Sequence, residues 1–321
     1  MEELKLDKKD YKILAELDLD FRQPFSKIGK SVGLSKNSVA LRFGKLKELM
    51  SHNVTGINYF NLNYRMVKVF YSLLNYNDII EKKIIKETKK NKNILWAARL
   101  FGNYDLEICL IVHGLDELIS QISKFEGKFL DIIDYKDILL TEKEFFHRYD
   151  FLHEKKQNKV QELVKTSLIP DLSKTEKKIL FMLRPSPRET ILEISRKSGF
   201  TPKTISDNIK HLKKKGVITG FFLSLNLSKF NYEVYKLLIQ IQKIKDLEKF
   251  EEYLNSIKNI KHISKTLGLW DYEIDLYSKN LNEIHTKITN LKNDFPSILK
   301  RMAIVSHEKR LITNKEGFLR E

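Results

Sequence analysis

The chain has 321 residues, 42% of them hydrophobic, enough to bury several cores and to hold four small domains. Its 58 Lys and Arg against 42 Asp and Glu leave a formal charge of +16, which draws in a polyanion such as nucleic acid and also suits an anionic membrane surface. The single cysteine, Cys109, excludes an internal disulfide and a cysteine-based zinc site. No apolar run approaches the ~20 residues that span a bilayer, and Met1-Glu2-Glu3-Leu4-Lys5 lacks a signal-peptide pattern, so a cytoplasmic location is expected.

Residues 1–62 read as a winged helix-turn-helix. Tyr11, Leu14 and Leu17 recur at helical spacing, and Phe25, Ile28 and Val32 mark a second short helix before a sharp turn at Gly33. Ser35 is placed to cap the next helix, whose buried stripe is Val39, Phe43 and Leu46. In this motif the second helix enters the major groove and its N-terminal residues meet base edges. They are Ser35, Lys36, Asn37, Ser38 and Arg42, with Lys45 following. Asn pairs bidentately with adenine and Arg or Lys with guanine, whereas Ser is permissive. Lys27, Lys30 and Lys47 would meet phosphates. Leu41 faces the same groove and would touch a thymine methyl or another part of the protein. A wing segment passes through Thr55-Gly56.

Residues 63–152 carry apolar strands near Val67 to Leu74, Ile94 to Phe101, Leu106 to Val112 and Ile132 to Leu140, around helices near Ile79 to Lys89 and Leu115 to Phe125. The order βαββαβ is ferredoxin-like, with both helices on one face of an antiparallel sheet. From Leu106 to Val112, alternate residues make one face wholly apolar and the other, with Glu107, Cys109 and Ile111, half apolar. Such a face needs a second sheet, and Cys109 reads as strand packing. His113 reads as a strand-end residue and Phe146-His147-Arg148 as a surface or interface segment. Residues 153–170, with the charged run Glu154-Lys155-Lys156-Gln157-Asn158-Lys159, read as a helical or mobile linker.

The chain then repeats itself. Leu6-Asp7-Lys8, Ile13-Leu14 and Gly33 recur as Leu172-Ser173-Lys174, Ile179-Leu180 and Gly199, and Gly102-Asn103-Tyr104-Asp105 recurs as Gly268-Leu269-Trp270-Asp271, all at a single offset. A repeat this long is a duplicated domain pair and not a solenoid unit. Residues 171–228 form the second winged helix-turn-helix. Ile191, Ile194 and Ser198 precede Gly199, Thr201 caps, Pro202 opens the first turn, Ile205, Ile209 and Leu212 form the buried stripe, and a second wing passes through Thr219-Gly220. Its readers are Thr201, Lys203, Thr204, Ser206 and Lys210, with Lys213 among the phosphate contacts beside Arg196, Lys197, Lys214 and Lys215. Asp207 on that turn repels phosphate unless it accepts from a cytosine amino group.

Residues 229–321 repeat the α+β pattern, with strands near Tyr235 to Gln242, His262 to Leu267, Tyr272 to Tyr277 and Met302 to Ile312, and helices near Leu247 to Asn255 and Leu281 to Leu291. The two modules are expected to form an internal pseudo-dimer by packing sheet on sheet, with Tyr135 to Leu140 and Met302 to Val305 contributing. Asp271, Glu273 and Asp275 share one strand face and read as an exposed acidic edge, with too few oxygens for Ca²⁺.

Leu6-Asp7-Lys8-Lys9-Asp10, Ile13-Leu14-Ala15-Glu16-Leu17, Gly33-Leu34-Ser35 with Val39, Arg42 and Leu46, and Gly102-Asn103-Tyr104-Asp105-Leu106 resemble the Lrp/AsnC (feast/famine) family of transcription regulators, in particular archaeal members with two fused copies. In the second copy Asn208 stands at the place of Arg42, where the family usually has Arg. The resemblance implies a winged helix-turn-helix plus an effector domain of the RAM type, often ligand-responsive and oligomeric. Amino-acid effectors in the family bind near the hairpin between the second and third strands, which singles out Gly102, Asn103, Tyr104, Asp105, Gly268, Trp270 and Asp271. Gly-x-x-Asp is also ordinary hairpin chemistry, and both readings stand.

The expected function is a regulator that binds double-stranded DNA through two nonidentical readers and prefers an asymmetric site, without a cofactor or metal. A low-specificity nucleoid or scaffold protein is an alternative. Another branch of this fold, the sirohaem decarboxylases, uses histidines in the effector-like domain. His113-Gly114 matches one of their motifs superficially, but no His-Cys-Tyr-like segment stands near Ile94-Leu95-Trp96, so no enzyme is expected.

Overall fold

The computed structural model describes residues 5–154, 161–164, 169–243 and 246–314. The first copy runs α1 (Lys8–Leu19), α2 (Phe25–Val32), α3 (Lys36–Leu46), β1 (Val54–Ile57), β2 (Arg65–Leu73), α4 (Asp78–Lys90), β3 (Ile94–Phe101), β4 (Leu106–Val112), α5 (Leu115–Glu126), β5 (Ile133–Phe146) and β6 (Gln161–Leu163). The second runs α6 (Lys174–Leu183), α7 (Ile191–Ser198), α8 (Pro202–Lys214), β7 (Ile218–Phe222), β8 (Glu233–Ile241), α9 (Leu247–Ser256), β9 (Ile260–Leu267), β10 (Tyr272–Ser278), α10 (Leu281–Asp294) and β11 (Leu299–Thr313). This is the expected α+β tandem repeat of helix-turn-helix and ferredoxin-like modules. The chain divides into two compact units that cut across the repeat. One gathers residues 5–57, 148–154 and 172–230; the other gathers 58–147, the described part of 160–171, and 231–314.

In the first unit local chemistry sets the helix ends. Asp7 caps α1 by accepting from the amides of Lys9 and Asp10, and Asp10 returns the bond in a capping box. Ser173 with Glu176 and Thr190 with Glu193 do the same for α6 and α7. Gly33 and Gly199 end α2 and α7 at φ 67° and 79°, a backbone region that penalises a side chain. Ile13, Leu14, Leu17, Ile28, Val39 and Leu46 are buried in one copy, and Ile179, Leu180, Leu183, Ile194, Ile205 and Leu212 in the other. Tyr11, which shares the helical spacing of Leu14 and Leu17, is 39% exposed at the edge of the buried face, where its ring meets Phe230 edge-on.

The two helix-turn-helix copies share one ladder. β1 and β7 pair antiparallel, Val54 with Phe222, Thr55 with Phe221 and Gly56 with Gly220, so each copy supplies one strand of a joint wing. A Cβ on Gly56 would lie 2.1 Å from the Phe222 ring, which is why glycine stands there. The Arg188 guanidinium of copy two lies 4.4 Å from the ring centre of Phe25 and 5.0 Å from that of Phe43, both of copy one. Burial, with Arg22 nearby, pushes its pKa down to about 10. Residues 148–153 join the same unit through Asp18, which accepts from the Tyr149 amide at 3.0 Å and lies 2.9 Å from His153 Nε2.

In the second unit the two sheets are continuous at their edges. β5 pairs with β2 from Ile133 to Leu140 and with β9 from Leu140 to Phe146; β11 pairs with β8 from Leu299 to Ser306 and with β3 from Ser306 to Thr313. Each module's last strand thus passes into the other module. Among the described residues the order β2-β4-β3-β11-β8-β10-β9-β5 returns to β2 and closes a ring of eight antiparallel strands, with β6 added on β5. The modules thus join edge to edge through their exchanged strands as well as face to face as expected, with Phe70, Leu100, Tyr104 and Leu139 of the first packed on Leu238, Trp270 and Val305 of the second. The expected linker therefore contains strand β6, while its run Lys155 to Lys159 lies outside the described residues. Of the two readings of Phe146-His147-Arg148, surface or interface, Phe146 and His147 take the second, with Phe146 opposite His262 of the other module. His147 is 7% exposed and its amide donates to Lys261 O, because β5 carries it into the ladder with β9.

Candidate nucleic-acid interface and strand ring

The helix-turn-helix unit presents α3 and α8 as its reading helices. Ser35 Oγ accepts from the Ser38 amide at 3.1 Å, and Thr201 Oγ1 accepts from the Thr204 amide at 3.1 Å, so both are occupied as caps. Lys36, Asn37 and Lys45 on one helix and Lys203, Lys210 and Lys213 on the other are exposed, while Ser38, Thr204 and Ser206 are half-buried at the helix edges. Lys213 Nζ sits 4.9 Å from the Phe221 ring centre, and Lys210 lies 3.9 Å from Asp207. Leu41 is 70% exposed, as its position opposite Val39 requires.

Arg42 has a different environment from the free base reader expected. Its guanidinium donates to Asp7 Oδ2 at 2.7 Å and Asp10 Oδ1 at 2.8 Å, bracing α3 against the first turn of α1. The hydrogen bond from Arg42 holds the Asp7 carboxyl below its usual range. Copy two has Ser173 and Asn208 at the matching places, and there Lys215 binds Glu176 at 2.8 Å. Asn208 turns back to Thr204 O at 2.7 Å. The brace has been rebuilt from other residues, so the departure at Asn208 concerns helix support as much as groove contact.

In the second unit, the hairpin residues singled out by the family resemblance are structural anchors. Asp105 accepts from the Leu73 amide and Asp271 from the Ile241 amide, each at 2.8 Å. Tyr104 and Trp270 are buried beside Phe70, Leu100, Leu139, Leu238 and Val305, with Trp270 Nε1 donating to Tyr104 Oη at 2.9 Å. Asn103 O accepts from the Tyr135 hydroxyl. A Cβ on Gly268 would lie 2.5 Å from Ile138 O, so the hairpin needs glycine for close approach; Gly102 has φ 133°. Cys109 is fully buried, and burial pushes its thiol pKa up. His113 stacks on Tyr64 at the strand end, 4.1 Å between ring centres.

A charged layer inside the ring escaped sequence reasoning. Glu273 is buried between two buried lysines. Lys68 Nζ donates to it at 2.8 Å and Lys236 Nζ donates to its other oxygen. Lys236 also lies 2.9 Å from Asp275 Oδ1 and 3.3 Å from Glu107 Oε2; Lys68 also donates to Ser264 Oγ at 2.6 Å. His262 Nε2 is 3.1 Å from Glu144 Oε1. Burial raises the Glu144 and Asp275 pKa values, but His262 and the lysines overcome it and hold both carboxyls low. The exposed acidic edge expected at Asp271, Glu273 and Asp275 is thereby corrected, since Glu273 is 0% exposed and Asp271 is spent on a backbone amide. The available signal was a lysine inside each apolar run, at Lys68 and Lys236.

Two family models match the chain, an AsnC-type helix-turn-helix domain over residues 6–47 and a winged helix-turn-helix DNA-binding model over residues 172–219. An HTH-type transcriptional regulator of Methanocaldococcus jannaschii is 31% identical over 100 residues, 31% of this chain and 68% of that protein. An uncharacterised HTH-type transcriptional regulator of Pyrococcus furiosus is 28% identical over 139 residues, 42% of this chain and 87% of that protein. Among solved structures, the siroheme decarboxylase NirDL in complex with an iron-uroporphyrin III analogue covers 98% of this chain and 95% of its own, with TM-score 0.65 and 13% identity, a likeness of fold alone. No helix among the described residues is long and apolar enough to cross a membrane.

Proposed function

Because this chain belongs to the Lrp/AsnC family of HTH-type transcriptional regulators, we propose that it works as a single-chain regulator that reads an asymmetric duplex site with two unequal helices. The observation that carries this reading is the β1–β7 ladder, which holds α3 and α8 in one unit while Lys36-Asn37 on the first differs from Lys203-Thr204 on the second. Identical subunits favour palindromes; unequal fused readers favour two different half-sites. Ser35 and Thr201 contribute as caps, Lys36, Asn37, Lys45, Lys203, Lys210 and Lys213 as groove and phosphate contacts, and Arg42 as a brace. The likeness to a decarboxylase is one of fold, and we read the chain as a regulator and not an enzyme.

Selection from a random duplex library at low and near-physiological salt tests this. An asymmetric two-part motif that survives the higher salt supports it, a palindrome overturns the asymmetry, and no enrichment with steep salt loss favours a scaffold protein. The family's amino-acid effector would need to compete with the bonds that already occupy Asp105 and Asp271. Amino-acid titration of the DNA complex tests for it, and unchanged affinity leaves the hairpins as anchors.

A further inference from the structure

Helix α4 of the ring unit carries Lys82, Lys83, Lys86 and Lys89, all exposed. None of these four makes an ion pair or side-chain hydrogen bond among the described residues. The nearby acids are already engaged: Glu81 is buried against Lys309 and Arg99, and Glu87 is held by Lys90 and Lys128. Like charges three and four residues apart repel, so the unpaired row weakens the helix that bears it. The favourable field at a helix C-terminus accounts for Lys89 but not for Lys82, Lys83 and Lys86.

The repeat supplies an internal control. In the second module the corresponding helix α9 exposes Glu248 and Glu252 with a single lysine, Lys249, and half-buries Glu251. The same fold thus does without a basic helix at this place, and its ring closes equally well. The basic row is a property of one module and not a requirement of the architecture.

We propose that α4 is a second DNA-contacting surface, which binds duplex phosphate backbone that α3 and α8 do not occupy. Lys82, Lys86 and Lys89 fall on one stripe spanning about 10 Å along the helix at 1.5 Å per residue. A duplex strand offers a phosphate about every 3.4 Å along its axis, so the row can meet two or three at once, and it reads no bases. The acidic α9 of a second copy is the competing partner. DNA is favoured because copies that each carry +16 repel one another while a polyanion is attracted.

This inference rests on the proposed DNA-binding function, and the test separates the two. The full chain and a Lys82→Gln/Lys83→Gln/Lys86→Gln/Lys89→Gln variant are titrated with the enriched site on a ~20 bp duplex and within a ~60 bp duplex, the shorter covering two half-sites one helical turn apart. Glutamine keeps helix propensity close to that of lysine, and circular dichroism checks the fold. On the long duplex the variant should lower the salt slope by about 2–3, at roughly 0.9 per phosphate contact, with the short duplex unchanged. An unchanged slope on the long duplex, or equal loss on both lengths, overturns the proposal while leaving the readers intact. Salt-sensitive self-association without DNA that the variant abolishes assigns α4 to a second copy instead. Failure of the wild type to bind either duplex overturns the proposed function with it.

Discussion

Replacing Glu273 with Gln should strike the ring unit harder than any surface change, because this carboxylate lies between two lysine ammoniums that are almost wholly shielded from water. After the change Lys68 keeps Ser264 and a carboxylate 3.9 Å away at Glu144, whereas Lys236 keeps Asp275 at 2.9 Å and Glu107 at 3.3 Å. Lys68 is therefore the charge left stranded. Leaving one member of a buried pair uncompensated costs about 3–5 kcal/mol. Both tryptophans of the chain, Trp96 and Trp270, lie in the ring unit, so tryptophan emission during urea unfolding follows this unit alone. With a slope on the order of 2 kcal/mol per molar urea, the midpoint should fall by about 1.5–2.5 M. Adding Lys68→Met removes the stranded charge, and the double variant should be clearly less destabilised than the sum of the singles. A Glu273→Gln midpoint within about 0.3 M of wild type, or strict additivity in the double variant, would refute the account on the measured scale of such unfolding slopes.

The same emission assay compares two glycines at matching places. Gly268→Ala drives a Cβ to 2.5 Å from the Ile138 carbonyl and should cost about 3 kcal/mol, while Gly102→Ala, with its nearest atom at 3.2 Å, should cost about 1–2. Equal losses would show that the backbone at Ile138 yields. The unit's stability should also depend on pH. Burial lowers the His307 pKa from 6.5 to about 4, so its contribution is full above pH 6.5 and drains as pH falls towards 4, because the unfolded chain takes up the proton first. The full shift corresponds to about 3 kcal/mol, and partial exposure of the ring reduces that to roughly 1–2. The urea midpoint of His307→Gln should be flatter than wild type between pH 7 and 4, and parallel curves would count against the assignment. In DNA binding, Asn37→Ala should relax base preference at one site position by about 1–3 kcal/mol, whereas Lys213→Ala should weaken all duplexes and lower the salt slope by about one. Identical behaviour of the two variants would mean that α3 does not face the groove.

Local pattern carried most of the elements. The stripe Val39, Phe43, Leu46, the caps Ser35 and Thr201 and the turn glycines are short-range signals, and the helices begin and end where those residues stand. Pairing across distance was not legible. β5 was expected to stop near Leu140, because Thr141-Glu142-Lys143-Glu144 breaks the apolar run; it continues because its second half belongs to the other module, whose inward face is charged. The wing through Thr55-Gly56 gave no sign of pairing with the other wing instead of folding back as a hairpin. Arg42 matched a groove-facing position, and its engagement by Asp7 depends on how α1 and α3 cross. Glu273 looked solvent-facing because isolated acids usually are; two lysines on other strands reverse that.

The exchange of last strands also sets the order in which this protein can be made. β3 receives its outer partner only from β11, where Ser306 meets Phe101 roughly 200 residues later in the chain. At ribosomal speeds of roughly 5–20 residues per second the edge Ile94–Phe101 waits about 10–40 s for its neighbour. During that interval an apolar strand carrying Trp96 and Leu100 stands open to other nascent chains. A chain cut short between the modules would keep an unsealed sheet, so completion of the second module is what closes the first.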